Sequence, residues 1–208
     1  MKLVLLYHGD IDGANGRCIG TTDLPLSSPG RRAMDGLAAD WPYQHPDALV
    51  SSTRKRAHSA LAPFVRRFGR LPMVEPRLDE QDFGDWDGEP WTSLHDDTSG
   101  SVRAWLSDWV NLAPPNGESF AMVAKRVRSW LDDIDSQHGD DDLLLVSAHA
   151  GPIRALVCHA LQIPLDHGLL LTVTPGHVSA LRRRRGRFEL SYFNASRFEA
   201  SLFGDDFR

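Results

Sequence analysis

Residues 2–10 read KLVLLYHGD, an apolar run that ends in His8 and a glycine. A second apolar run, residues 143–151, reads LLLVSAHAG and ends in His149. Both runs are too short and too closely bounded by glycine for helices, and continuous apolar character is typical of buried strands in a parallel sheet. Open α/β sheets bind their ligands at the carboxyl ends of such strands. The sequence therefore predicts that two imidazoles from distant parts of the chain meet in one pocket.

The rest of the chain alternates between strand and helix patterns. Such alternation predicts an α/β fold, a three-layer α/β/α sandwich with a mostly parallel sheet and an antiparallel edge. We expect helices over residues 28–39, 54–68, 118–134 and 152–161, and further strands over 47–50, 72–75, 169–173, 177–182 and 187–193.

Length and composition indicate one compact unit. A chain of 208 residues that is 41% hydrophobic and 25% charged can bury a real core, so we expect a single domain over residues 1–208. Within it, residues 83–113 are rich in Trp, Asp and Gly and do not fit a sheet unit. We interpret this segment as a helical, cap-like insertion.

Charge and cysteine usage exclude several classes of partner. The net charge of −5 gives no basic footprint for nucleic acid or for an anionic membrane. The arginines of residues 182–187 (RRRRGR) are interpreted as a solvated hairpin tip. Cys18 and Cys158 lack metal-ligand or redox spacing, which indicates reduced thiols. The apolar start is too short for a signal peptide or a membrane span, so we expect a cytoplasmic protein.

Three polar segments have residue types that suit an anionic substrate. The loop at residues 8–10 offers backbone N–H groups beside an imidazole. Residues 51–60 (SSTRKRAHSA) start a helix with arginines near its N-terminus, which favours phosphate. Residues 78–86 (LDEQDFGDW) place carboxyl groups between apolar residues, where one could have a raised pKa and serve as a general acid. Each segment alone also fits a turn, an amphipathic helix or a solvated loop, and only their order is specific.

That order resembles the histidine phosphatase superfamily, whose phosphoglycerate mutase-like members are α/β/α sandwiches. The matching elements cover nearly the whole chain. They are YHGD at residues 7–10, GTTDLPLS at 20–27, SSTRKRA at 51–57, LDEQDFG at 78–84 and HAG at 149–151.

The resemblance implies a phosphatase that works through a phosphohistidine intermediate on a small phosphorylated metabolite. It implies no metal and no cofactor. In the implied mechanism the first histidine is the nucleophile, and the carboxylic acid protonates the leaving group. The implied catalytic residues are His8, Glu80 and His149, and the implied phosphate ligands are Arg56, Gly9 and Asn15.

Tyr7 is the main departure from the superfamily, because members carry an arginine there that holds the phosphoryl group. Tyrosine offers one neutral donor, and a lost charge-assisted hydrogen bond costs about 1.5–3 kcal/mol. Either another arginine compensates, with Arg17 and Arg154 as candidates, or the protein is weakly active or only binds phosphoesters. Tyr7 itself stays a predicted phosphate contact, and Thr21 is a further candidate for substrate binding.

Three segments point to a narrower group within the superfamily. Residues 83–88 (FGDWDG), 104–109 (AWLSDW) and 115–120 (PNGESF) are most similar to the alpha-ribazole phosphatases of the cobalamin pathway. This similarity implies alpha-ribazole 5′-phosphate as the substrate. The alternatives left open are a phosphoglycerate mutase-like phosphotransferase and a phosphoester-binding protein without catalysis, and a homodimer is also left open.

Overall fold

The computed structural model describes residues 1–96 and 99–199, and its centre is one six-stranded sheet. Within these residues, no helix is both long enough and apolar enough to cross a membrane. The strands are β1 (Lys2–Tyr7), β2 (Ala48–Ser51), β3 (Met73–Val74), β4 (Leu143–Ala148), β5 (Val178–Arg184) and β6 (Arg187–Ala195). The α-helices are α1 (Ser28–Ala39), α2 (Lys55–Ala60), α3 (Ala62–Phe68), α4 (Trp91–His95), α5 (Ser101–Ser107), α6 (Phe120–Gln137) and α7 (Ala150–Leu161). Short 3-10 helices span Pro76–Leu78, Gly84–Trp86 and Leu165–Leu170.

The sheet is mixed, in the order β3-β2-β4-β1-β5-β6. β3, β2, β4 and β1 are parallel neighbours, whereas β5 and β6 pair in antiparallel fashion at the edge. This arrangement confirms the predicted mostly parallel sheet. In the register of β1 with β4, Tyr7 lies opposite Ala148. The residues that follow, His8 and His149, therefore leave the sheet at the same edge.

Both faces of the sheet are covered by helices. On β1, Leu3 and Leu5 join one buried cluster with side chains of α6 and α7. Val4 and Leu6 point the other way and join a second cluster with α1 and α3. The alternation follows from the two-residue period of a strand. The three layers confirm the predicted sandwich.

The predicted helix over residues 54–68 is two helices, α2 and α3. Pro63 lies in the first turn of α3, where a missing N–H costs nothing, but it cannot continue a helix that arrives from α2. The predicted strand over residues 169–173 is wrong. A 3-10 helix over Leu165–Leu170 replaces its first half, because Pro164 starts a turn there and Gly168 packs closely against aromatic side chains.

The segment 83–113 is the helical insertion that its composition predicts. α4, α5 and the 3-10 helix Gly84–Trp86 lie in it, and Asp97 and Thr98 fall outside the described residues. The insertion has a small core of its own, to which the loop after β1 contributes one residue. The buried members are Cys18, Trp86, Leu94, Val102 and Trp105.

The loop after β1 lies directly on the first turn of α1. Ser27 caps this helix by accepting a hydrogen bond from Gly30 N at 3.0 Å, and its own N–H donates to the Asp10 carbonyl at 2.8 Å. A Cβ added to Gly9 would lie 2.5 Å from the Gly30 carbonyl oxygen, and one added to Gly30 would overlap the Asp10 carbonyl oxygen. The position of His8 therefore depends on two glycines in direct contact.

We expect Gly30→Ala to lower the free energy of unfolding by about 1–3 kcal/mol, because the new methyl group has no room. Gly36→Ala in the same helix is the matched control, since a Cβ there meets nothing within 4 Å. It should raise the free energy by about 0.5–1 kcal/mol through backbone entropy. Urea denaturation measures both. Equal effects of the two substitutions would contradict the close packing.

Candidate active site

The structure brings the two predicted histidines together. His8 follows β1, and His149 follows β4 and is the N-cap residue of α7. Their ring centroids are 5.1 Å apart with an angle of 71° between the planes. Both side chains are buried. The two histidines therefore form one buried polar centre at the carboxyl ends of β1 and β4.

His8 is held as a neutral imidazole in one tautomer. Nδ1 lies 2.8 Å from the Gly9 carbonyl oxygen, which only an N–H can satisfy, so Nδ1 carries the proton and Nε2 carries a lone pair. Burial lowers the pKa of His8 to about 3, and the charge of Arg56 adds to this effect. A neutral ring whose Nε2 has a lone pair can act as a nucleophile at ordinary pH.

Arg56, at the start of α2, has its guanidinium against that lone pair. Its Nε donates to Nε2 of His8 at 3.2 Å. Nη2 donates to the Gly20 carbonyl at 2.7 Å and Nη1 donates to the Thr22 carbonyl at 2.8 Å. The side chain is only 1% exposed, so these bonds fix its orientation. Each Nη keeps one further N–H, which leaves the guanidinium able to hold an anion beside His8.

His149 is fully buried, and one of its ring nitrogens is unsatisfied. Nε2 lies 2.7 Å from the Ser52 hydroxyl, while Nδ1 has no hydrogen-bond partner in the described parts of the chain. Burial, with the nearby His8 and Arg56, holds the pKa of His149 well below its usual value.

Glu80 lies beside the first turn of α7. Oε1 accepts hydrogen bonds from Gln81 N at 3.0 Å and Gly151 N at 3.1 Å. Burial raises the pKa of Glu80 despite these bonds, which is the direction that its place between apolar residues predicts. The carboxyl group therefore keeps its proton to a higher pH than an ordinary glutamate and can release it to a partner.

A cavity of about 880 Å³ opens above these groups. His8, Arg56 and Glu80 line it, whereas His149 and Thr21 do not. Among the described residues, no three His, Cys, Asp or Glu side chains are placed to hold a metal ion. The other predicted site residues that line the cavity are Tyr7, Gly9, Asn15, Arg17 and Arg154.

The far wall of the cavity is aromatic. Phe83 and Trp91 pack edge to face with ring centroids 6.2 Å apart, and Trp109 and Phe120 lie 4.7 Å apart. These four rings and Trp105 all face the cavity. The cavity thus has a polar end at His8 and Arg56 and an apolar end in the insertion.

Tyr7 packs its ring on His8, with centroids 4.7 Å apart. Burial and the nearby Glu80 raise the pKa of Tyr7, so the phenol stays neutral. Arg154 anchors its Nε on a backbone carbonyl at 3.0 Å and lines the same cavity. Arg17 is exposed at the mouth, where Nη1 donates to a carbonyl at 2.7 Å. Both candidate arginines therefore reach the cavity, at different depths.

Three structural residues of the site were not singled out from the sequence: Ser52, Gly151 and Asp87. Ser52 and Gly151 lie inside the matching elements, but their partners are 97 and 71 residues away in the chain. Asp87 accepts a hydrogen bond from the Thr21 hydroxyl at 2.5 Å. That bond turns Thr21 away from the cavity, so the structure gives no support to its predicted contact with substrate.

A neutral imidazole, a fixed guanidinium and a protonatable carboxyl group are groups that phosphoryl-transfer enzymes use. Comparison with known proteins agrees with this class. The model of the histidine phosphatase superfamily, branch 1, matches residues 3–196. The chain belongs to this superfamily and is a phosphatase.

Relatives within the superfamily differ in their substrates. The adenosylcobalamin/alpha-ribazole phosphatase of Salmonella typhimurium is 29% identical over 94% of this chain and 96% of its own length. The glucosyl-3-phosphoglycerate phosphatase of Mycobacterium tuberculosis is 31% identical over 79% of this chain and 77% of its own length. The crystal structure of the alpha-ribazole phosphatase of Shigella flexneri superposes with a TM-score of 0.87 at 24% identity, covering 96% and 98% of the two chains. That last likeness establishes the fold alone.

The two neutral imidazoles predict how stability depends on pH. In the unfolded chain they take up protons near pH 6.5, while in the native state His8 does so only near pH 3. Stability is therefore full above about pH 6.5 and falls as the pH drops below it, by up to about 1.4 kcal/mol per pH unit for each imidazole.

Urea denaturation at about pH 7.5 and about pH 5.5 measures this loss. His8→Asn should make the decline smaller, and His167→Asn, at an exposed position, is the control substitution. A decline of the same size in His8→Asn as in the wild type would contradict the neutral, buried imidazole of His8, because the opposing contribution of Glu80, whose pKa burial raises, is common to both proteins.

Proposed function

We propose that hydrolysis proceeds through a phosphohistidine formed at Nε2 of His8. The observation that carries this proposal is the 2.8 Å hydrogen bond between Nδ1 and the Gly9 carbonyl. It leaves the lone pair of Nε2 facing the guanidinium of Arg56, and attack on a phosphoryl group held there replaces the hydrogen bond from Arg56 Nε. Because burial keeps the imidazole neutral, no base is needed to activate it.

In the first step, Nε2 attacks phosphorus in line with the leaving oxygen. The N–P bond forms as the P–O bond breaks, and Glu80 donates its proton to the leaving oxygen so that a neutral alcohol departs. In the second step, the Glu80 carboxylate takes a proton from water, and the water oxygen attacks phosphorus. The N–P bond breaks, its electron pair returns to Nε2, and inorganic phosphate is released.

The equatorial phosphoryl oxygens need donors in both steps. We assign this role to the free N–H groups of Arg56 and to the loop residues Gly9 and Asn15, which line the cavity beside His8. His149 is assigned the same role through Nδ1, although its ring lies outside the cavity lining, so a phosphoryl oxygen would have to enter beyond the present wall to reach it. The Ser52 hydroxyl then donates to Nε2 of His149, which leaves the proton on Nδ1.

Glu80→Gln should reduce kcat by about 10²–10⁴-fold for alkyl phosphates, because their leaving oxygen needs a proton. The loss should be much smaller for an aryl phosphate with an acidic phenol. Wild-type kcat/KM for the alkyl ester should fall as the pH rises through the raised pKa of Glu80, and Glu80→Gln should lack that fall. Steady-state rates across pH check both effects. Equal losses for alkyl and aryl esters would remove the acid role.

Arg154 is the arginine that we infer compensates for Tyr7. It lines the cavity, and its positive charge lowers the pKa of both Tyr7 and Glu80, against the raising effect of burial. Its Nε is anchored on a carbonyl, so its terminal nitrogens have a defined position. Arg17 lies at the exposed mouth and is better placed for the rest of a substrate. A second cation near His8 supports full phosphatase activity. It counts against a protein that is weakly active or only binds phosphoesters.

Arg154→Ala should raise the inhibition constants of phosphate and vanadate by about tenfold or more, the value of one charge-assisted hydrogen bond. Arg17→Ala, the control at the mouth, should change them little. Tyr7→Arg should bring no gain in kcat/KM, because a new buried cation would crowd Arg154. A tenfold gain from Tyr7→Arg, together with a silent Arg154→Ala, would show that the pocket is uncompensated.

For the substrate, the aromatic wall supports a phosphomonoester with a flat, apolar leaving group. We propose alpha-ribazole 5′-phosphate, whose benzimidazole would stack on the wall while the phosphate reaches His8. Trp91 and Phe83 both line the cavity, and a planar ring can stack on an exposed face of such an aromatic side chain. The relative that acts on alpha-ribazole phosphate, as its name states, matches nearly the full chain.

Kinetics on a panel of alpha-ribazole 5′-phosphate, glucosyl-3-phosphoglycerate, phosphoserine and 3-phosphoglycerate test this choice. We expect the highest kcat/KM for alpha-ribazole 5′-phosphate. Trp91→Ala should raise its KM by about tenfold, since stacking of a base on an aromatic ring is worth about 1–3 kcal/mol. The same variant should leave KM for 3-phosphoglycerate unchanged. A preference for a sugar acid phosphate would overturn the substrate, and 2-phosphoglycerate among the products would favour a mutase.

A further inference from the structure

The carboxylate of Asp87 accepts hydrogen bonds from three consecutive residues, Gly20, Thr21 and Thr22. Asp87 Oδ1 accepts from the Gly20 N–H at 2.7 Å. Oδ2 accepts from the Thr21 hydroxyl at 2.5 Å, the Thr22 N–H at 2.6 Å and the Thr22 hydroxyl at 2.9 Å. Partial burial raises the pKa of Asp87, but these hydrogen bonds outweigh it and hold the pKa below the usual value. The side chain is therefore an anion that fixes residues 20–22.

The carbonyl groups of the same segment face two arginines. Gly20 and Thr22 accept from Nη2 and Nη1 of Arg56 at 2.7 and 2.8 Å. The carbonyl of Thr21 accepts from Nη1 of Arg54 at 3.2 Å. Residues 20–22 thus lie between one carboxylate and two guanidinium groups. The orientation of Arg56 is set by carbonyls whose own position is set by Asp87.

We propose that Asp87 is a positioning residue for the phosphoryl site, and that it acts by holding residues 20–22 so that their carbonyls orient Arg56 against His8. The proposal rests on the proposed role of Arg56 as a phosphate ligand. Both carboxylate oxygens of Asp87 are occupied by residues 20–22 and the side chain does not line the cavity, so its role is one of positioning.

Other groups near Arg56 do not replace this support. Asp23 is the acidic side chain paired with Arg56, but its oxygen lies 4.0 Å from Nη1, beyond hydrogen-bond distance, and instead accepts from the backbone N–H of Lys55. The three hydrogen bonds of Arg56 go to His8 and to residues 20–22. A shift of this segment would therefore move the guanidinium relative to the nucleophile.

Asp87 also connects the insertion to the phosphoryl site. It directly follows the 3-10 helix Gly84–Trp86, and Trp86 is buried in the core of the insertion against Trp105. Next to it, the Gly88 N–H donates to the Cys18 carbonyl at 2.7 Å. The part of the molecule that lines the leaving-group end of the cavity is thus tied to the arginine at the phosphate end.

The test measures inhibition by vanadate and KM for an aryl phosphate in three variants. Asp87→Asn keeps the shape but loses the charge, and should raise both constants by about tenfold, the value of one charge-assisted hydrogen bond. Asp87→Glu restores the carboxylate and should recover most of the loss. Asp85→Asn, two residues away and exposed, is the control and should behave as wild type. Thermal unfolding without ligand confirms that each variant is folded.

A double-mutant cycle with Arg56→Lys separates positioning from a general structural role. If Asp87 acts through Arg56, adding Asp87→Asn to Arg56→Lys should cause no further loss of vanadate inhibition. Multiplied effects, a silent Asp87→Asn, or an equal effect of Asp85→Asn would overturn the proposal while leaving the phosphatase mechanism intact. A silent Arg56→Lys would instead remove Arg56 as a phosphate ligand, and with it both the proposed site and the role of Asp87.

Discussion

The parallel pairing of β1 with β4 is the constraint on which the site depends. Its register sets Tyr7 opposite Ala148, so His8 and His149 emerge side by side although 141 positions separate them in the chain. A slip of one residue would turn Leu3 and Leu5 to the wrong face of the sheet and would part the two rings. The buried clusters on both faces hold this register, which means that packing far from the cavity determines the distance between the imidazoles.

Burial of the site is the second constraint. It gives these side chains the protonation states that the reaction needs, and it also lowers the stability of the folded protein. Keeping His8 neutral prepares its lone pair, and keeping Glu80 desolvated favours its protonated form. The free protein thus holds donors in place before substrate arrives, which reduces the reorganisation that the transition state requires.

The features of the fold and site that depend on local sequence pattern could be predicted from the sequence. Apolar runs ending in histidine predict the strands and the meeting of their ends, and the elements around Arg56 and Glu80 lead to the residues that line the cavity. Partners brought in from far along the chain were not predictable in the same way. Asp87 resembles any solvated turn residue until the fold places it on residues 20–22. The strand expected over 169–173 failed for a similar reason, because Gly168 packs against aromatic rings from other elements.

The central claim is that the phosphoryl group passes through His8, and its most direct test is mass spectrometry of the protein quenched without acid during turnover. The account predicts one phosphoryl group per chain on His8, formed within the first turnover and absent in His8→Asn. Phosphate found on another side chain, or wild-type turnover with no phosphorylated protein during the burst, would contradict it.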